Sequence, residues 1–267
     1  LASGWLFQAR ALRCAAVLSA FSDVSIYQLL LVAGVALFAS ILGGVAGYGT
    51  GALMPLVLVP MVGAEAVVPI LAIAALLTNT SRTMAYLRFV NWRRALLVLI
   101  GAIPPCLVTA YGYTLLTGTG AQLVIGGMLM LTVPLRYGLR RRSVVLSDRG
   151  LLVSSIGYGA LVGGTIGAGV VLLSLLMATG MTGAEVIATD AVLSIAIGLA
   201  RLVVFGLSGV VTTKVVAYSL LIGSIAFPGA FLARAFVERL PIHVHTVILD
   251  AVVLIGGALM VAAALMK

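Results

Sequence analysis

Two arginines, Arg82 and Arg201, lie inside long apolar stretches of this sequence. An arginine at the centre of a membrane helix costs about 2.5–3.5 kcal/mol on insertion scales, and less near the helix ends. A charge kept at that cost is a functional candidate by default. Its permanent charge and forked donors suit the oxygens of an oxyanion. The alternative is that each side chain snorkels to the headgroups, and Arg82 stands only six residues before Arg88. Thr78, Asn79, Thr80 and Ser81 precede Arg82. Thr and Ser can bond back to their own helix carbonyls, whereas an amide in lipid needs partners, so Asn79 is expected to face a cavity. Asp190 and Asp250 are the buried-acid candidates, as a proton carrier or an arginine partner. Asp190 shares a helix face with Arg201, but eleven residues put them about 16 Å apart, too far to pair.

A second signal is a duplication. Residues 43–65 read GGVAGYGTGALMPLVLVPMVGAE and residues 163–185 read GGTIGAGVVLLSLLMATGMTGAE, with ten of 23 positions identical at an offset of 120. Each copy opens on glycines and continues into an apolar run too short to cross a bilayer alone, 50–62 and 170–180. A glycine break frees backbone N–H and C=O groups at membrane depth, where they persist only against protein, water or ligand. The half-helix that follows presents unpaired N–H groups and a positive dipole end, which suits an anion. Paired breaks in corresponding places of two halves are the best sequence pointer to a transport site. The competing explanation is that the glycines only let helices pack closely. The candidate binding residues are therefore Gly47, Tyr48, Gly49, Thr50, Gly51, Asn79, Arg82, Thr165, Gly167, Gly169 and Arg201, with Asp190 the candidate for ion coupling. Ala168 stands where the first copy has Tyr48, so the site is expected to be asymmetric.

The elements that position these residues follow from composition. Of 267 residues, 63% are apolar and 9% charged, which excludes a soluble globule of this size. Runs at 26–46, 65–87, 95–116, 121–139, 150–168, 184–207, 215–237 and 244–266 each suffice for one helical crossing. They lack the alternation of barrel strands. The expected fold is an all-α polytopic membrane protein of about eight transmembrane helices in two internal repeats, each with a short Gly-broken segment. Its organisation is a lead-in over 1–25, a first repeat over 26–139, a basic cytoplasmic linker over 140–149 and a second repeat over 150–267. The lead-in could be a weak signal peptide, though a cytoplasmic segment is the simpler reading.

The formal charge of +9 is read as topology, with no nucleic-acid partner. Arg88, Arg93 and Arg94 fall on one side with Arg136, Arg140, Arg141, Arg142 and Arg149. Lys214 is expected there too, whereas Arg234, Glu238 and Arg239 count to the other side unless the short segments alter the parity. Cys14 and Cys106 make no disulfide framework. His243 and His245, two residues apart, face different sides of a helix, so neither a metal site nor a cofactor is expected. Glu65 and Glu185 are expected to stabilise helix starts.

The stretch GYGTGALMPLVLVPMVGAEAVVPILAIAALLTNTSR, from Gly47 to Arg82, resembles the signature region of the TauE/SafE sulfite exporter family. That family shows a Gly-rich turn, a following Pro, an apolar helix and a short basic segment ending in D/N-W-R. Here these are Gly47 to Gly51, Pro55, residues 65–87 and Asn91-Trp92-Arg93. The second half repeats the plan more weakly, with Val171, Leu175 and Thr212 where the Gly, Pro and Trp would stand. The resemblance, over about residues 26–266, implies a bacterial inner-membrane carrier for sulfite, sulfonates, sulfoacetate or related anions. It also implies no enzyme activity and leaves direction open. A coupling proton or cation and self-association are open partners beside the lipid bilayer. Two other functions compete. One is an anion channel. The other is an intramembrane protease of rhomboid type, suggested by Gly206-Leu207-Ser208-Gly209 followed by His243 or His245.

Overall fold

A computed structural model of the chain describes residues 24–46, 49–141, 145–237 and 242–266. Within them it forms ten α-helices, one short 3-10 turn and no strand. The first five helices are α1 (Ile26–Ala46), α2 (Gly49–Val62), α3 (Ala64–Tyr86), α4 (Trp92–Thr114) and α5 (Gly118–Arg141). The second five are α6 (Asp148–Gly163), α7 (Gly169–Ala178), α8 (Gly183–Leu207), α9 (Thr213–Val237) and α10 (Ile242–Leu265). Among the described residues, α3, α4, α5 and α8 are long and apolar enough to cross a membrane. The described parts of α1, α9 and α10 add shorter apolar stretches. The fold is that of an all-α polytopic membrane protein.

The repeated Gly-Ala-Glu has a backbone cause. Gly63, before α3, has φ 80° and ψ 154°, and Gly183, opening α8, has φ 56°. Side chains with a Cβ rarely adopt either conformation. Glu65 and Glu185 then fall in the first turn of α3 and α8, where negative charge meets the helix N-terminus. Asn91 ties the start of α4 to the first turns of α8. Its Oδ1 caps α4 by accepting from the Arg94 N–H at 3.1 Å. Its Nδ2 donates to Glu185 Oε1 at 2.8 Å, and its backbone N–H donates to Thr189 Oγ1 at 3.1 Å.

Side-chain contacts fix the direction of each helix. Arg82 lies beside Asp190 and Leu76 beside Gly198, so α3 and α8 are antiparallel. Gln122 Nε2 donates to the Met260 carbonyl at 3.0 Å while Gly257 lies against Leu129 and Met130, so α5 and α10 are antiparallel too. Gly101 lies against Ser155, and Gly163 against Thr109, so α4 and α6 are parallel. Ser219 Oγ donates to the Ile70 carbonyl at 3.1 Å and Gly223 lies against Leu77, so α9 and α3 are parallel. The two pairs α3/α8 and α5/α10 thus each place a helix of the first half against an oppositely directed helix of the second half. The packing is reciprocal as well: α4 meets α6 as α9 meets α1, and α4 meets α8 as α9 meets α3.

This arrangement settles what the short segments do in the second half. Helix α6 starts beside α4, where Arg93 Nη2 meets Asp148 Oδ2 at 2.6 Å. It stops at Gly163, and α7 then returns: the Leu146 N–H donates to the carbonyl of Ala178, the last residue of α7, at 2.8 Å. The run 150–168 is therefore half of a hairpin and does not cross by itself. The tip, around 164–168, lies against Thr109 and Tyr113 of α4.

Two placements by sequence counting change as a result. Helix α9 runs parallel to α3, so it ends on the basic face that carries Arg88, Arg93 and Arg94. Arg234 is in its last turn, while Glu238 and Arg239 lie outside the described residues. Lys214, at the start of α9, belongs to the opposite face, because α8 has carried the chain across. Counting failed because it took α6 as a crossing.

Close packing depends on glycine. A Cβ on Gly159 would run into the Ala102 backbone, whereas Gly157 has open space around it. Gly159→Ala is expected to cost about 1–3 kcal/mol by overpacking. Gly157→Ala is expected to leave stability unchanged or raise it by up to about 1 kcal/mol. Melting in detergent compares them. Single cysteines in place of Arg93 and Lys214 are expected to label from opposite faces of sealed vesicles with a membrane-impermeant maleimide.

Candidate functional site

Helix α8 carries Asp190, Ser194, Ile197, Gly198 and Arg201 along one stripe, at spacings of three, four, seven and eight. Helix α3 carries Leu71, Ala75, Thr78, Asn79 and Arg82 in the same way. The two helices are antiparallel, so their stripes face each other, and a cavity of about 170 Å³ lies between them. A single water needs about 10–15 Å³ of such space, so there is room for a small anion and several waters. Thr50 and Gly51 from the start of α2, with Thr165 to Gly169 from the α6–α7 tip, close the cavity.

The two breaks touch. A Cβ on Gly51 would come within 3.1 Å of Gly167 N and of Ile166 Cγ2. Gly167 has φ 86°, which lets the tip turn there without strain. The first turns of α2 and α7 therefore both border the cavity. The first N–H groups of a helix have no intrahelical acceptor and carry a partial positive charge.

The charged side chains are placed unequally. Arg201 is only 8% exposed. Its Nη2 donates to the Thr165 carbonyl at 3.2 Å, and its Cζ lies 5.7 Å from the Phe205 ring centroid. Its Nε has no hydrogen-bond partner, and among the described residues no carboxylate lies within ion-pair distance of it. Arg82 Nη1, in contrast, faces Asp190 Oδ2 at 3.8 Å. Asp190 is 6% exposed, and its Oδ1 has no hydrogen-bond partner. Among the described residues that line the cavity, two arginines stand against one aspartate, a net positive charge.

Of the residues singled out from sequence, Thr50, Gly51, Asn79, Arg82, Thr165, Gly167, Gly169, Asp190 and Arg201 line this one cavity. Arg82 and Arg201 stand 119 residues apart, one short of the offset of the duplication, yet both reach this cavity. Gly49 opens α2, and Gly47 and Tyr48 lie outside the described residues. Thr165 contributes its carbonyl, because its hydroxyl donates to the Leu161 carbonyl. Thr78, Thr80 and Ser81 bond back to carbonyls of their own helix. Asp250 is buried but does not line the cavity. Tyr158 and Ser194 line it and were not anticipated. Ser194 was readable, since it sits four residues after Asp190 on the Asp190–Arg201 face. Tyr158 depends on how α6 packs, which no spacing reveals.

The serine-protease reading fails on topology. Ser208 caps the C-terminus of α8 on the face opposite the basic one. Helix α10 starts on the basic face, with His243 and His245 in its first turn, so the depth of the bundle separates them from Ser208. A larger space of about 800 Å³ between α2, α5 and α10 has Gln122 as its one polar side chain. Gln122 Nε2 donates to the Met260 carbonyl, and among the described residues no charged side chain lines this space.

The family model described as Sulfite exporter TauE/SafE matches residues 32–260. No curated protein and no solved structure matched the chain. The match covers most of the sequence, including both breaks, both arginines and Asp190. With its all-helical bundle and positively charged cavity, this chain belongs to the TauE/SafE sulfite exporter family of membrane transporters.

Proposed function

We propose that the protein is a secondary transporter that moves a small sulfur-containing or related organic anion, of the sulfite, sulfonate or sulfoacetate class, across the bacterial inner membrane. The observation that carries this reading is Arg201. It is a buried arginine with no carboxylate partner among the described residues, at a cavity where two half-helices begin. A buried, permanently charged group without a counter-ion is costly, and an oxyanion removes the cost while satisfying the free donor. The N–H groups of α2 and α7 add donors that favour negative charge.

The antiparallel relation of α3 to α8 supports two inverted repeats, 26–139 and 150–267, joined by the basic linker 140–149. Inverted repeats with binding at broken helices on their interface suit alternating access. Arg82 stands toward the basic face and Arg201 toward the other, about 16 Å apart along the bundle. Each exit thus has a cation to receive the anion. Asp190 is the candidate group for a coupling proton or cation.

Thermal melting in detergent across sulfite, sulfoacetate, taurine, thiosulfate and sulfate tests the reading. A ligand that binds only the folded state stabilises it by about 2.7 kcal/mol at a hundredfold excess over Kd. At least one anion is expected to raise the melting temperature, and Arg201→Gln is expected to remove that shift. An unchanged melt with every anion, or a normal shift in Arg201→Gln, contradicts the proposal. Counterflow in proteoliposomes is expected of a carrier, whereas an ohmic single-channel current would indicate a pore.

A further inference from the structure

Arg201 marks one part of the cavity, and a second set of polar groups lines it toward Asp190. Ser194 stands four residues after Asp190 and seven before Arg201 on the same stripe of α8. At 1.5 Å per residue it lies about 6 Å from the first and about 10 Å from the second along the axis. Helical side chains lean toward the N-terminus of their helix, which for Arg201 is the direction of Ser194. Tyr158 lines the cavity from α6, within electrostatic reach of both Asp190 and Arg201. The hydroxyls of Thr78, Thr80, Ser81 and Thr165 all donate to nearby backbone carbonyls. Among the described residues, those of Ser194 and Tyr158 have no such acceptor. Asp190 is the converse case: it is more than nine-tenths buried, and its Oδ1 receives no hydrogen bond. Two hydroxyl donors and a carboxylate with spare accepting capacity thus share a wall with Arg201.

We propose that Asp190, Ser194 and Tyr158 form a hydroxyl-reading subsite, which selects a monovalent oxyanion that carries a hydroxyl on a short alkyl tail. The proposal rests on the transport reading above and deepens it. The oxyanion accepts from Arg201 Nε and from the first N–H groups of α2 and α7. The tail hydroxyl donates to Asp190 Oδ1 and accepts from Ser194 and Tyr158, using both capacities of a hydroxyl. A carboxylate tail can only accept, and it brings like charge toward Asp190. An apolar tail leaves Asp190 Oδ1 buried without a partner, which costs affinity. Charge points the same way. Among the described lining residues two arginines stand against one aspartate, so a monovalent anion balances the wall and a divalent one overshoots it.

Isothermal titration calorimetry on purified full-length protein compares 2-hydroxyethanesulfonate with 1-propanesulfonate, which has a methyl where the first has its hydroxyl. The parent is expected to bind the hydroxylated anion at least about tenfold more tightly, the scale of a hydrogen bond to a charged group. Ser194→Ala and Tyr158→Phe are each expected to lower that ratio by about three- to tenfold, and Asp190→Ala to bring it close to one. A merely structural role would shift both affinities together and leave the ratio alone. If Asp190→Ala does not fold, the parent and the two hydroxyl variants decide. Equal affinities in the parent, or a preference that survives unchanged in the variants, refute the hydroxyl subsite. Loss of both sulfonates in Arg201→Gln would then leave the Arg201 site standing. If the parent binds neither sulfonate nor sulfite, both readings fall.

Discussion

A bilayer core offers no water to a broken helix, so the backbone groups freed at a break must find protein or ligand. The rest of this structure depends on how that constraint is met. The second break turns the chain back at the α6–α7 tip, and the start of α2 meets it there, with Gly51 against Gly167. Glycine lets the two backbones come this close, and φ 86° at Gly167 makes the turn. The contact places two helix N-termini at one cavity and leaves the flanking helices α3 and α8 to wall it.

The charges follow from that geometry. Antiparallel α3 and α8 send their late arginines to opposite ends of the cavity, which a parallel duplication would not do. Of these two arginines, among the described residues, Arg82 faces a carboxylate and Arg201 does not, so a similar placement on the two helices coexists with asymmetry of charge. That asymmetry leaves the described cavity wall with a net positive charge. The uncharged space between α2, α5 and α10 is larger and lacks this property, so volume is a poor guide to the site in this bundle.

Much of this was legible in the residues. The apolar runs located the helices because lipid demands long unbroken hydrophobicity, and the glycine duplication located both breaks. Arg82, Arg201, Asn79 and Asp190 were conspicuous because polar groups are costly in such runs. Direction was not legible. Treating 150–168 as a crossing put Lys214 on the wrong face, and the return of α7 appears only in a contact between Leu146 and Ala178. The partner of Asp190 was also hidden. Spacing could exclude Arg201 on the same helix, but choosing Arg82 required the antiparallel packing of α3 on α8. Asn91 carried a family-like motif whose physical work, joining α4 to α8, depends on contacts about a hundred residues apart in the chain.

An oxyanion that neutralises Arg201 where the two breaks meet can be seen directly. Selenite, a pyramidal and strongly scattering analogue of sulfite, tests it in a crystal through anomalous diffraction. The account predicts a selenium peak within hydrogen-bond reach of the Arg201 guanidinium, beside Thr165 and the first turns of α2 and α7. A well-occupied peak elsewhere in the bundle, with Arg201 left without an anion, would contradict it.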